Sequence, residues 1–323
     1  MSKGKRTNLW AITPVFNDYD ALGLLLTHMN DLDLNYDLRI VVVDDGSDSQ
    51  TPEIRKLEKH ICKKSIVSID LLILSSNQGN QKAVAQGLKF AFKKARNTDV
   101  FIVLDSDGED SPDSIPHLIE NIESNSIIVA KRTRQKTNIV LAFWHILFKT
   151  AFRCLIGKPI DFGNFSLLKY DHCRQIVLNR KLDISYIGTL LLSGIPLKRI
   201  PIARAKRYKG KSQTSWDGLF NVGFQILTVF SDKILIRLLR IVAVCILLLG
   251  MGIVTILCLK LFTAKVISGW AGLMIAIFST SLVQLIVLLA GLMMIQLNTK
   301  SEIQQNDNKV SVQSITLGEN KVE

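Results

Sequence analysis

Two carboxylates one residue apart, Asp105 and Asp107, come directly off an apolar run at residues 100–104. Carboxylates so spaced can hold Mg2+ or Mn2+, hard cations that prefer oxygen ligands and share them readily with phosphate. A cation there would act as a Lewis acid and neutralise charge developing on a diphosphate leaving group. Glu109 and Asp110 add negative charge beside the pair. A second acidic cluster, Asp44-Asp45-Gly46-Ser47-Asp48, ends the β-branched run at 39–43. An aspartate in that place can accept hydrogen bonds from a nucleotide base or ribose; the same residues can also make a turn or cap the next helix. A third polar segment, residues 14–18, closes the apolar run at 9–13. Two carboxylates alone would serve a turn equally well. The strand before them and the matching Asp44-Asp45 cluster favour the chemical reading.

The elements that must position these residues alternate strand and helix. Runs at 9–13, 39–43, 69–74, 100–104 and 127–130 read as buried strands. Thr51-Pro52-Glu53 reads as a helix start with proline in its first turn, and a further helix runs from the end of the third strand to about Ala95. Asp18 or Asp20 is placed to cap the helix after the first strand. The order predicts an α/β fold, a mostly parallel sheet with helices on both faces. In such sheets ligands bind beyond the carboxyl ends of the strands, where all three polar clusters fall.

The chain has 323 residues and a formal net charge of +12. Basic residues gather at 131–136, at 198–211, and at Lys233, Arg237 and Arg240. Two uncharged apolar runs follow, 241–259 and 270–297. Nineteen helical residues rise about 28 Å, close to the roughly 30 Å hydrocarbon core of a bilayer; the second run is longer and spans with tilt. The adjacent spans favour a membrane surface and a phosphorylated substrate as partners of the basic clusters. They disfavour nucleic acid, whose recognition would want aromatic residues among the cations. The five cysteines show no metal spacing, two lie in the first span, and they fit a reducing compartment. Positive charge before the first span and Lys300 after the second favour both ends inside; Lys260 and Lys265 in the connection weaken that bias. The expected organisation is a catalytic domain over 1–213, an amphipathic juxtamembrane helix over 214–240, two transmembrane helices over 241–297 and a disordered polar tail over 298–323. Residues 139–156, apolar with His145, Lys149 and Arg153 as one basic stripe, suit either a helix in the membrane interface or one packed on the protein.

Five segments taken in order resemble the inverting family 2 glycosyltransferases of GT-A fold, and among these the polyprenyl-phosphate glycosyltransferases, the dolichyl-phosphate mannose synthases and the bacterial GtrB type with two C-terminal spans. Thr13-Pro-Val-Phe-Asn-Asp18 resembles the family's P-x-x-N-E, and Asp44-Asp45-Gly46-Ser47 matches its DDGS. Asn77-Gln78-Gly79 with Ala83 and Gly87 matches its N-x-G…A…G. The segment from Asp105 to Asp113 resembles DADLQDPPE, and the one from Arg204 to Ser212 resembles R-x-x-R-x-x-G-x-S/T. The resemblance runs from about Leu9 to about Leu297.

The resemblance implies transfer of a sugar from a nucleotide sugar to a polyprenyl phosphate, with the enzyme in the inner membrane, multi-pass, and its catalytic domain in the cytoplasm. It implies that Pro14, Asp18, Asp44, Asp45 and Asp105 bind the nucleotide sugar. Asp105 and Asp107 would hold Mg2+ or Mn2+, and Arg132, Arg204, Arg207 and Ser212 would bind phosphate on the acceptor lipid or the donor. Arginine suits this because its planar fork meets phosphate bidentately. Asp107 is implied as catalytic, and Asp161 matches a family carboxylate proposed as a base. Three positions depart from the pattern: Glu109 stands for Gln, Asn80 for a frequent Lys, and Ser166 for a common Arg. They bear on the donor sugar and, for Glu109, on an added metal ligand. Two other readings compete. One is transfer onto a lipid-linked saccharide or growing polysaccharide, for which processive relatives carry a QxxRW motif and more spans, neither present here. The other is a non-catalytic membrane scaffold that kept the fold. Gly250 and Gly252 offer close-approach sites for homo-oligomer formation through the spans.

Overall fold

The computed structural model describes residues 6–48, 65–132, 150, 152–153, 156–209, 216–262, 270–306 and 312–317. The helix expected from Thr51, the segment 139–149 and Ser212 lie outside them. The chain divides into two compact units, one of residues 1–229 with 310–323, the other of residues 230–309.

Among the described residues the first unit is built on eight strands: β1 (Asn8–Val15), β2 (Asp37–Asp44), β3 (Ile66–Leu74), β4 (Val100–Val103), β5 (Ile127–Arg132), β6 (Phe162–Lys169), β7 (Leu197–Ile202) and β8 (Val312–Leu317). Their spatial order is β7-β5-β6-β4-β1-β2-β3-β8. β1 pairs in parallel with both β2 and β4, β2 with β3, and β5 with β7; β6 and β8 run antiparallel to their neighbours. The sheet is mostly parallel, as expected. Its central strands are near-continuous apolar runs because both faces are covered. Leu9, Ile12, Ile40, Val42, Phe101 and Ile102 are fully buried.

The described helices of this unit are α1 (Tyr19–Asp31), α2 (Asn80–Lys94), α3 (Ser114–Glu120), α4 (Tyr170–Val177), α5 (Tyr186–Leu192) and α6 (Trp216–Val229). α2 lies close on the sheet at Gly87, where a Cβ would come within 2.6 Å of Ile12 and 2.7 Å of Val43. That contact accounts for a glycine in a helix that otherwise buries Ala83, Val84 and Leu88. After β3 the chain returns to the other side of β1 to form β4. This reversal opens a crevice at the carboxyl ends of β1, β2 and β4.

β8 departs from the expected tail. Where disorder is expected from residue 298, the chain stays helical to Asn306 and then adds an edge strand, Val312↔Leu74 through Leu317↔Ile69. The reason is local: V-Q-S-I-T-L is rich in β-branched residues, and a sheet edge offers its unpaired N–H and C=O groups.

The second unit holds α7 (Ser231–Phe262) and α8 (Trp270–Asn306). Both are long and apolar enough to cross a membrane, over Ser231–Leu259 and Gly272–Gly291. Their side chains face outward: Leu247, Met251 and Val254 on α7 and Leu273, Val283 and Val287 on α8 are all exposed. Apolar surface of this extent is covered by lipid, and the chain is membrane-associated. Gly252 is occupied within the chain, since a Cβ there would lie 2.7 Å from the Phe278 ring, whereas nothing lies near Gly250.

Candidate active site

The loops after β1, β2 and β4 converge on a cavity of about 1030 Å3, lined among others by Pro14, Asp18, Asp45, Gln78, Asn80, Asp105, Asp107, Asn164 and Arg207. Pairing carries on past the strand ends and holds these loops: Asp45 N–H donates to the Val15 carbonyl at 2.9 Å and Leu104 N–H to that of Ile12 at 3.1 Å.

The two aspartates after β2 divide their work. Asp44 is buried and accepts from Ser47 N–H at 2.9 Å, from Ser47 Oγ at 2.6 Å and from Tyr19 Oη at 2.7 Å. It folds the loop and is not among the residues that line the cavity, whereas the expectation set it in the nucleotide pocket beside Asp45. Burial, then the Asp44 acceptor and its charge, push the Tyr19 phenol pKa far up. Asp45 does reach the cavity, and its carboxylate accepts Gln78 N–H at 2.7 Å and Gly79 N–H at 2.8 Å. It thereby ties the end of β2 to the two residues that lead into α2, the second of them its N-cap, whose N–H has no helical partner. Burial raises the Asp45 pKa, the two N–H donors lower it in part, and the Asp44 charge raises it. Gly46, the residue after Asp45, takes φ +70, with a Cβ position 2.5 Å from the Ser76 carbonyl carbon. Only glycine satisfies both demands, which explains the DDGS pattern. Asp18 stands at the N-cap of α1 without a side-chain capping bond and faces the cavity.

The acidic loop after β4 is gripped by the segment following β7. Arg207 donates to Asp107 Oδ2 at 2.9 Å, and Tyr208 N–H donates to the Asp107 carbonyl at 3.0 Å. Arg204 pairs with Glu109, and Ala205 N–H donates to the Glu109 carbonyl at 3.0 Å. The Tyr208 ring lies over Gly108, which takes φ +84; a Cβ there would fall 2.3 Å from the ring. Tyr208 Oη meets His28 Nδ1 at 2.8 Å, and His28 Nε2 meets Asp113 at 2.9 Å. Burial, then the Asp113 charge, raises the Tyr208 pKa. Glu109 is thus engaged with an arginine in this structure.

Asp105 is held from the other side. Asn164 Nδ2 donates to its Oδ1 at 2.9 Å and Asn80 Nδ2 to the same oxygen at 3.3 Å. Asp105 and Asp107 suit a hard cation by their chemistry. Among the described residues no three His, Cys, Asp or Glu side chains group to hold one, so the diphosphate and water would complete its shell, the usual arrangement for Mg2+.

Asp161 is not brought to the cavity. It accepts from Arg199 Nε at 2.8 Å and lies 3.8 Å from Lys131 Nζ, while its neighbours Ile160 and Phe162 line the cavity. The expected base is therefore an ion-pair partner of β7 and β5. Arg132 ends β5, and Arg204 is not among the lining residues. Ser166 is buried, donates to the Asn164 carbonyl at 2.7 Å and lies 2.6 Å from the fully buried Tyr186 hydroxyl. Sequence reasoning missed Asn164, Gln81 and the α6 wall of the cavity, Asn221, Val222, Phe224, Gln225, Ile226 and Thr228. The amides carry no charge to flag them. The wall shows only as polar residues at 221, 225 and 228, one helical face.

A sequence model described as glycosyl transferase family 2 matches residues 10–183. An undecaprenyl-phosphate 4-deoxy-4-formamido-L-arabinose transferase of Pseudomonas fluorescens (strain Pf0-1) is 27% identical over 273 residues, 81% of this chain and 75% of that protein. A prophage bactoprenol glucosyl transferase homolog of Escherichia coli (strain K12) is 26% identical over 232 residues, 68% of this chain and 71% of that protein. Among solved structures, glucosyl-3-phosphoglycerate synthase of Mycobacterium tuberculosis with Mn2+, UDP-glucose and phosphoglyceric acid is 15% identical, covers 72% of this chain and 81% of its own, and has a TM-score of 0.47.

Proposed function

The chain belongs to glycosyl transferase family 2, and from that premise we propose that it transfers a sugar, with inversion, from a nucleotide sugar to a polyprenyl phosphate at the cytoplasmic face of the inner membrane, held there by a two-span hairpin. The observation that carries the proposal is one chain containing both an acidic cavity with an arginine in its lining and two helices able to span a bilayer. The names of the relatives, which act on undecaprenyl phosphate and bactoprenol, support the acceptor class.

In this reading Pro14, Asp18 and Asp45 receive the nucleotide end of the donor. Asp105 and Asp107 would hold Mg2+ or Mn2+, which when bound supplies charge neutralisation at the diphosphate. Arg207 pairs with Asp107 and would meet phosphate with its planar guanidinium. Arg204 steadies the loop through Glu109, and Arg132 and Ser212 are assigned to the acceptor phosphate. The acceptor oxygen is an anion near neutral pH, so the reaction needs little general-base help. That agrees with an Asp161 committed to Arg199. Orientation of the two anions and stabilisation of the departing diphosphate supply most of the rate. The apolar residues Ile160, Phe162, Ile184, Ile187, Val222 and Phe224 line the same cavity and give a prenyl chain a surface to lie on.

The test offers purified protein three acceptors with one nucleotide sugar: undecaprenyl phosphate, undecaprenyl diphosphate carrying a sugar, and undecaprenol. Product only from the monophosphate, with one sugar added and a single β- or α-configuration opposite to the donor's, supports the proposal. Product only from the diphosphate saccharide sinks it in favour of chain extension.

A further inference from the structure

A buried chain of amides fixes which atom meets Asp105. It starts at a donor that has no choice of direction, the backbone N–H of Ile187 on α5, which gives its hydrogen to Gln81 Oε1 at 3.2 Å. Ser185 Oγ reaches the same oxygen at 3.1 Å. Gln81 must therefore turn its nitrogen the other way, and Nε2 donates to Asn164 Oδ1 at 2.7 Å. That in turn orients Asn164, whose Nδ2 donates to Asp105 Oδ1 at 2.9 Å and to Asn80 Oδ1 at 2.7 Å. An amide that is an acceptor on one side is a donor on the other, so orientation passes along the chain. Gln81 is 4 % exposed and Asn164 6 %, and at that burial a reversed or unmatched amide is costly.

We propose that Gln81 and Asn164 are positioning residues that fix the hydrogen-bond polarity at Asp105, so that a donor amide, never an acceptor oxygen, faces its carboxylate. Neither has the charge of a ligand, and Gln81 acts through Asn164. The consequence is that an isosteric change of polarity at Gln81 is worse than a loss of polarity. A Gln81→Glu carboxylate has only acceptors to offer Asn164 Oδ1, so Asn164 turns over and presents its oxygen to Asp105. Gln81→Leu withdraws the bond to Asn164 without imposing the reverse orientation. The inference rests on the reading of Asp105 as a ligand of the donor diphosphate and its cation.

The test measures Mn2+ binding by electron paramagnetic resonance on the full chain in detergent, with UDP, GDP or dTDP present, alongside thermal melting. Q81E is expected to weaken Mn2+ affinity about tenfold or more in the nucleotide complex, Q81L by less, and Asn164→Ala, which removes the donor itself, to resemble Q81E. KM for polyprenyl phosphate should hardly move in any of them. Equal losses in Q81E and Q81L, tracking their melting temperatures, would reduce the chain to packing and overturn the proposal. So would wild-type affinity in N164A, which remains decisive where Q81E does not fold. Wild-type protein that binds no Mn2+ with any of the three nucleotides would instead fail the reading of Asp105 itself.

Discussion

In the proposed reaction Asp107 carries the most chemistry; it faces the cavity and accepts from Arg207. Asp107→Ala should lower turnover by at least about 100-fold, since preorganised electrostatic groups at a developing charge supply factors of that order, while circular dichroism shows a folded protein. Arg207→Ala should raise KM for one of the two phosphate-bearing substrates by about tenfold or more, the scale of a lost charge-assisted pair; unchanged steady-state constants for both would remove Arg207 from the site. Asp105, Asp107 and Asp45 were legible in the sequence because charge next to an apolar strand end is conspicuous. Asp44 and Asp161 were legible as carboxylates, but their partners were not. Only the folded chain shows that Tyr19 and Ser47 consume the one and Arg199 the other. Gln81 and Asn164 were illegible, since their role is an orientation passed between uncharged groups that sit 83 positions apart.

The elements make the site by where they stop. β1, β2 and β4 all end at the cavity, and each was visible as an apolar run within a residue or three of its observed bounds. β6 was not marked as a strand, because Gly163, Asn164 and Ser166 interrupt the apolar run of F-G-N-F-S-L-L-K; it runs antiparallel to its neighbours. At the opposite end of the sheet Asp99 ties β1 down, accepting from Asn8 N–H at 3.2 Å, Asn8 Nδ2 at 2.9 Å, Trp10 Nε1 at 3.0 Å and Arg96 N–H at 3.0 Å. Burial alone would raise its pKa, and these donors outweigh it and hold the value down. A depressed carboxylate pKa stabilises the fold above its unfolded value and ceases to do so as pH falls through the folded one. Asp99→Asn should therefore cost about 2–3 kcal/mol near neutral pH, and the gap to wild type should close below about pH 4; a gap independent of pH would show that the charge is not what Asp99 contributes. In the acidic loop, Gly108→Ala has nowhere to put its methyl group beneath Tyr208 and a φ of +84 to sustain. Its expected effect is a drop in turnover of at least tenfold with little change in the global melting temperature, because the strain is confined to the loop.

At the scale of the whole molecule the order of segments is informative. The catalytic unit is interrupted by the membrane hairpin, since the chain passes through α7 and α8 and then returns to give β8. A chain truncated after Val229 should leave the membrane fraction, but it also loses β8 and uncovers the edge of β3. Such an edge invites association, so aggregation on sedimentation is expected to exceed that of a variant in which only residues 230–309 are replaced by a short soluble linker. Equal behaviour of the two would make β8 dispensable. The hairpin itself was legible from hydropathy alone. The return of the tail was not, because six residues without a clear period acquire a fate only when a sheet edge is there to receive them.

Transfer of a sugar to a lipid phosphate is the defining property of the proposed enzyme. Purified full-length protein in detergent, given undecaprenyl phosphate, Mg2+ or Mn2+ and a panel of radiolabelled nucleotide sugars one at a time, should move label into the organic phase with one donor, and chelation of the metal should stop it. A folded protein that transfers label from none of the donors, with either metal, would contradict it.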